Sequence, residues 1–152
     1  MTHPEIAANT RQRFERPLRI RFGHCDPAGI VFFPQYFIML NGLVEDWVTE
    51  GLGVSYAELL GPRRIGLPTV SLSSDFKSVS RMGDDVTLGL ELAHLGTRSL
   101  TVAMDCRGAD GELRMSAQQV IVCTSLNSHR AITMPPDLRS ALEAFAHPVN
   151  VG

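Results

Sequence analysis

The 152-residue sequence predicts an α+β domain in which an antiparallel five-stranded sheet wraps around one long central helix. Three observations carry that prediction. Residues 34–50 are apolar around most of a helical circumference, which marks a buried helix. From Thr69 to Leu126 apolar and polar residues alternate with a period of two, the signature of strands with one covered face. Leu18, Ile20 and Phe22 alternate with Arg19 and Arg21 ahead of the helix and supply the remaining strand. A single all-apolar helix and a sheet with one apolar face satisfy each other when the sheet curls around the helix.

Residues 1–16 read as a loose polar arm, and Leu18 to Phe22 as the first strand. The long helix spans Pro34 to Glu50, with proline pre-set for the first turn and Gly51 as its stop. Its apolar set is Phe37, Ile38, Met39, Leu40, Leu43, Val44, Trp47 and Val48. Ser55-Tyr56-Ala57-Glu58 has the spacing of a capping box and opens a short helix closed by Gly61-Pro62. Val70, Leu72 and Phe76, then Val86 to Leu92, then Leu100 to Cys106 form the buried parities of three further strands. Asp110-Gly111 reads as a tight hairpin turn. The fifth strand, Leu113 to Leu126, is apolar on both parities near Val120, Ile121 and Val122, as a strand covered on both faces should be. Asp137 to Ala146 is a terminal helix after Pro135-Pro136. One helix cannot cover both faces and the edges of such a sheet, so a homo-oligomer is expected.

The length suits one domain with one core, and 44% hydrophobic with 20% charged residues is the balance of a soluble globular chain. A formal net charge of −2 gives no electrostatic reason for a nucleic-acid partner. No apolar run has the length of a membrane span. The polar, charged opening Met1 to Pro17 lacks the pattern of a secretory signal, so the expected location is the cytoplasm. Cys25, Cys106 and Cys123 match neither a disulfide framework nor a zinc pattern, and no cofactor or metal is expected. Cys106 and Cys123 sit in apolar strands and read as core thiols.

The most informative stretch is His24-Cys25-Asp26-Pro27-Ala28-Gly29-Ile30-Val31-Phe32-Phe33-Pro34-Gln35-Tyr36. It places an acid in a Pro/Gly turn between a strand and the start of the long helix. The first N–H groups of a helix have no intrahelical partner and carry partial positive charge. A carboxylate beside them can attack, or activate water against, a carbonyl polarised by those N–H groups. The residues alone also allow Asp26 to be a turn former or cap, and His24 a turn residue or an orienting partner for Asp26. Cys25 is a weaker nucleophile candidate, with no histidine tied to it. His94, His129 and His147 are scattered and read as surface residues. Gln35 and Tyr36 read either as acyl-slot lining or as interface packing. Glu45 and Asp46 are adjacent on the helix, about 100° apart, and cannot work as a coupled carboxylate pair.

The Asp26-to-Tyr36 motif resembles the 4-hydroxybenzoyl-CoA thioesterase family of hotdog-fold enzymes. Pro68-Thr69-Val70-Ser71, Ser74-Asp75-Phe76, Gly83-Asp84-Asp85-Val86 and Arg98-Ser99 follow in that family's order, so the resemblance covers roughly Leu18 to Leu138. It implies a hotdog fold and hydrolysis of an aromatic acyl-CoA to the free acid and CoA. Asp26 would be nucleophile or general base, with the Phe33 backbone N–H as oxyanion donor. Phe32, Tyr36, Asn41 and Thr69 would meet the acyl group, and Arg98 and Ser99 the CoA phosphates. It also implies tetramers made from two dimers. The chain departs from the family twice. Gly96-Thr97 precede Arg98 where the family carries a run of cations, which leaves Arg63, Arg64 and Arg81 as substitutes. Asn41 stands where the family has an acid that meets the ring hydroxyl. The competing readings are a thioesterase for short or medium aliphatic acyl-CoA, a non-catalytic acyl-CoA or acyl-carrier binding module, and a hydratase. The hydratase reading lacks a histidine at the helix start.

Overall fold

The computed structural model describes Ile6 and residues 11–147. Strand β1 is Arg13–Arg19, followed by a 3₁₀ turn at Phe22–His24. Helix α1, Phe33–Asp46, runs on through a π-turn at Trp47–Gly51. Helix α2 is Tyr56–Leu60, and the strands are β2 Ile65–Gly66, β3 Thr69–Phe76, β4 Asp85–Leu95, β5 Ser99–Gly108, β6 Leu113–Val122 and β7 Thr124–Ser125. Helix α3, Pro136–Ala146, is the last element described. Five strands form an antiparallel sheet in the order β1-β4-β5-β6-β3, and β2 pairs with β7 in a separate two-stranded ribbon.

The alternation in the sequence translates directly into the covered face. Val86, Leu88, Leu90 and Leu92 of β4 and Leu100, Val102, Met104 and Cys106 of β5 are buried. They meet Tyr36, Met39, Leu40, Leu43, Val44, Trp47 and Val48 of the central helix in one cluster. This is the hotdog arrangement, a curled antiparallel sheet around a long helix.

Several boundaries differ from the sequence reading. Residues 13–16 are strand, not arm: Arg13 pairs with Glu91 and Arg16 with Leu88. Their charged side chains are accommodated because Arg13 reaches across the outer face to Asp105, at 2.5 and 3.0 Å. The strand ends at Arg19, since Phe22–His24 close a turn. The rest of the expected arm, apart from Ile6 and residues 11 and 12, lies outside the described residues.

Gly51 does not stop the helix. It lies inside the π-turn, where a Cβ would meet the Trp47 ring 2.8 Å away, and the chain turns off at Gly53 with φ +73°. Ser55 caps α2 as expected, its Oγ accepting the Glu58 N–H at 3.2 Å. The Asp110-Gly111 hairpin is a three-residue loop: Gly111 N–H donates to Gly108 O and Gly108 N–H to Glu112 O, both at 2.9 Å, and Gly111 takes φ +87°. Strand β6 buries one parity only, Met115, Ala117, Gln119 and Ile121, so it is not covered on both faces, and Cys123 interrupts it before β7. Nor is α1 buried all round, because Ile38 and Phe33 are exposed. They belong to an uncovered apolar surface with Phe32 and with Val70, Leu72 and Phe76 of the edge strand β3.

Candidate active site

The motif folds into a miniature hairpin, bridged at Cys25 and Val31. Asp26 N–H donates to Ile30 O at 3.0 Å, and Gly29 N–H to Asp26 O at 2.9 Å. Each residue is used locally. Pro27 fits the first corner with its fixed φ, Gly29 supplies φ +78°, and Asp26 Oδ1 accepts the Ala28 N–H at 2.9 Å. Oδ2 accepts no hydrogen bond from the described residues, and the side chain is part-exposed. The carboxylate is thus fixed through one oxygen while the other is open.

The return strand of this hairpin leads straight into α1. Phe32 N–H is held by His24 O at 2.9 Å, and Gln35 N–H turns back to Phe32 O at 2.8 Å. Phe33, the first helical residue, has no intrahelical acceptor for its N–H, and Pro34 has no N–H to compete. His24 is a turn residue: its Nδ1 accepts the Arg21 N–H at 2.9 Å. The Cys25 thiol is pushed up by burial and then by the Asp26 charge, the reverse of what a thiolate nucleophile needs.

The hairpin is clamped from behind by residues 78–84, and here the sequence reading missed the main participants. Val31 N–H donates to Ser80 O at 2.9 Å and Met82 N–H to Gly29 O at 3.0 Å, while Ile30 bridges to Arg81. Arg114, on β6, secures the clamp. Its Nη1 donates to Asp84 Oδ2 at 2.9 Å, Val79 O at 3.0 Å and Ser80 Oγ at 3.2 Å. Asp84 Oδ2 also accepts the Arg81 N–H at 2.9 Å. That backbone bond, then Arg114, holds the Asp84 carboxyl below its ordinary range.

Tyr36 belongs to this network, and its ring also lies 6.1 Å from that of Phe76. It is 4% exposed, its hydroxyl donates to Ser80 Oγ at 2.8 Å, and burial raises its pKa. Nearby Cys106 is fully buried and pushed up to about 12, chiefly by burial, so it is an inert core thiol.

Two other expected contacts do meet. Asn41 of α1 and Thr69 of β3 line one cleft of about 160 Å³ with Phe37, Leu40, Leu72, Met104 and Gln119. Phe32 and Phe33 stand exposed at its helix-start side, Phe33 edge-on to Phe76 at 6.1 Å. Gln119 went unnoticed in the sequence, although a polar residue on the buried parity of β6 was a visible signal.

Arg98 is exposed on the β4–β5 hairpin, with its carbonyl accepting the Cys123 N–H at 2.7 Å. Ser99 opens β5 opposite Val122. Arg64 lies at the same end, its carbonyl holding Leu126 N–H at 2.8 Å. Arg63 is committed to a two-pronged pair with Asp137, both contacts at 2.8 Å. Arg81 stands apart beside Ile30. Among the described residues no cluster of His, Cys, Asp and Glu has the makings of a metal site.

Comparison with known proteins places this geometry in context. Residues 20–142 match the model of the thioesterase-like superfamily. The 4-hydroxybenzoyl-CoA thioesterase of Pseudomonas sp. strain CBS-3 is 29% identical over 126 residues, covering 78% of this chain and 89% of the relative. Its solved structure superposes with a TM-score of 0.77 at 26% identity, over 85% of this chain and 98% of that one. A 1,4-dihydroxy-2-naphthoyl-CoA hydrolase of Synechocystis sp. is 24% identical over 124 residues, 81% of this chain and 89% of the relative. The structure of a gentisyl-coenzyme A thioesterase gives a TM-score of 0.76 at 25% identity, covering 83% of this chain and 99% of that one. With Asp26 on its hairpin and α1 inside the curled sheet, the chain belongs to the thioesterase-like superfamily and is a thioester hydrolase of the hotdog fold.

Proposed function

We propose that the protein hydrolyses an aromatic acyl-CoA to the free acid and CoA, with Asp26 as the catalytic carboxylate and the Phe33 N–H as the oxyanion donor. The observation that carries this reading is the open Oδ2 of Asp26, fixed on a hairpin that feeds directly into the unpartnered first N–H of α1. A thioester is already electrophilic, so a donor at its oxygen and a carboxylate at its carbon suffice. The carboxylate either attacks the carbonyl carbon, expelling the CoA thiolate, or takes a proton from the water that does so. Phe33 and Phe37 each pack edge-on against Phe76, at 6.1 and 6.3 Å, and form an aromatic wall against which an aromatic acyl group would pack. The three relatives named above act on hydroxylated aromatic CoA thioesters, by their names, which supports the same class here.

The site is shared between subunits on this reading. The acyl cleft runs from Phe76 toward Thr69, and Arg98 lies at the Thr69 end of the sheet, since Thr69 pairs with Ile121 and Ile121 with Leu100. Within one protomer the CoA phosphates and the acyl group would leave Asp26 in the same direction. Pairing two β3 edges antiparallel brings the partner's Thr69 end beside this protomer's Asp26 end, and with it a second copy of Arg98 and Ser99. The same pairing covers the exposed Val70 and Leu72. Two such dimers make the tetramer, in a cytoplasmic setting.

The test is thiol release from a panel of aromatic and straight-chain CoA thioesters by wild type and Asp26→Asn. The Asn variant should keep its fold and lose about 10²–10⁴-fold in kcat. Activity within a few-fold of wild type would reduce Asp26 to a turn residue, and a butyryl-CoA preference over benzoyl-CoA would overturn the aromatic assignment.

A further inference from the structure

The β4–β5 hairpin, Leu95 to Ser99, carries a single cation, Arg98. Its side chain is exposed and makes no hydrogen bond or ion pair with the described residues. The sequence has no acid from Leu92 to Met104 or from Leu113 to Pro136 to compete for it.

The backbone under Arg98 is held more firmly than a tight turn requires. Gly96 N–H donates to Ser99 O at 2.7 Å and closes the turn. The next three carbonyls are then each taken from outside the hairpin. Arg139 Nη1, on α3, donates to Gly96 O at 2.6 Å. Met134 N–H donates to Thr97 O at 3.2 Å, and Cys123 N–H to Arg98 O at 2.7 Å. Met134 and Cys123 are core residues, so two of these ties come with the fold. The third depends on one side chain, and it serves a buried residue, Gly96, whose carbonyl is costly to leave unpaired.

Helix α3 sets that side chain. Arg139 Nε donates to Glu143 Oε1 at 3.0 Å, one turn further on, which leaves Nη1 for the hairpin. Asp137, the other acid of α3, is occupied by Arg63. Neither acid is therefore free to draw Arg98 away. A lone exposed arginine on a loop gives up much of a phosphate contact to the ordering of side chain and loop. Bracing the loop beforehand removes part of that cost.

Resting on the reading above that Arg98 meets the CoA phosphates, we infer that Arg139 is a positioning residue for CoA. It acts through Gly96 O, two residues from Arg98, and holds the hairpin in the conformation that presents the cation. Its influence is confined to the nucleotide end of the substrate and does not reach the acyl transfer at Asp26.

The experiment compares two thioesters of one acyl group: benzoyl-CoA, and S-benzoyl-pantetheine, which lacks the nucleotide and its phosphates. In Arg139→Met, KM for benzoyl-CoA should rise about five- to tenfold with kcat within about twofold, the mark of lost ground-state binding. For the pantetheine ester kcat/KM should stay within about twofold of wild type, whereas a damaged fold would lower both. Arg98→Ala should show the same split. Arg98→Ala combined with Arg139→Met should be no worse than Arg98→Ala alone, because one residue acts through the other. Arg139→Lys, the milder variant for folding, keeps the charge but lacks the fork that serves Glu143 and Gly96 O together. It should show the split more weakly. An unchanged KM in Arg139→Met, equal losses on the two thioesters, additive effects in the double variant, or a Lys variant equal to wild type overturns the proposal and leaves the thioesterase reading intact. An unchanged KM in Arg98→Ala removes the anchor and the proposal with it. Wild type that releases thiol from neither ester overturns the function itself.

Discussion

Replacing Arg114 with methionine tests how the catalytic hairpin is held. Methionine keeps most of the apolar stem and removes the donor. Nη1 carries two hydrogens but serves three acceptors, Asp84 Oδ2, Val79 O and Ser80 Oγ, at 2.9 to 3.2 Å. Counting these as two charge-assisted bonds at about 1.5 kcal/mol each gives a loss of about 3 kcal/mol. Asp84 is about one-third exposed and can rehydrate, which keeps the loss at the low end for a broken buried pair. With a urea m-value of about 2 kcal/mol/M, the midpoint should fall by about 1.5 M at unchanged m. Gly108→Ala should do the same more weakly, because its Cβ would stand against the Arg114 guanidinium.

The pH dependence follows from Asp84. Its folded pKa lies below the unfolded one, so the stability it contributes is full above the unfolded carboxylate range and is lost as pH falls through the folded value. The gap between wild type and Arg114→Met should be widest near neutrality and narrow below about pH 4. The clamp also has a kinetic signature. Ser80 O holds Val31 N–H, two residues before the Phe33 donor, so kcat should drop while KM holds at temperatures where the variant is folded. A urea midpoint within about 0.3 M of wild type, or a gap constant from pH 7 to 3, would refute the assignment of Arg114 and Asp84 as the tie.

Val70→Lys on the exposed edge strand, outside the lining of the acyl cleft, should dissociate the dimer, read as a shift toward 16.7 kDa in light scattering, with activity lost alongside it; a fully active monomer would contradict the shared site. Cys25→Ser should retain wild-type turnover, and iodoacetamide at neutral pH should not inactivate the enzyme, because the Cys25 and Cys106 thiols are both raised; rapid inactivation would return a cysteine to the mechanism.

What the sequence made legible and what it hid divide along a physical line. The Asp26 turn was readable because its requirements are local: Pro27 fixes one corner and Gly29 the positive φ, whatever surrounds them. The buried parities of β4 and β5 were readable because one covered face imposes a strict period of two. The start of β1 was not, since Arg13 is acceptable in a strand only when Asp105, far along the chain, lies across the face to receive it. The environment of Tyr36 was hidden for the same reason: its hydroxyl meets Ser80, 44 residues later in the chain, and that serine is held by an arginine on β6. Gln119 is the instructive case. The strand was read as covered on both faces, whereas the structure buries only the parity of Met115, Ala117, Gln119 and Ile121, and a carboxamide on that face conflicts with the pattern around it. Local rules are most often broken where a protein does something other than fold. The break in β6 pairs with Leu72 and turns its amide to the Thr69 hydroxyl, so the polar side chain opens onto the cleft beside α1 and not into the core.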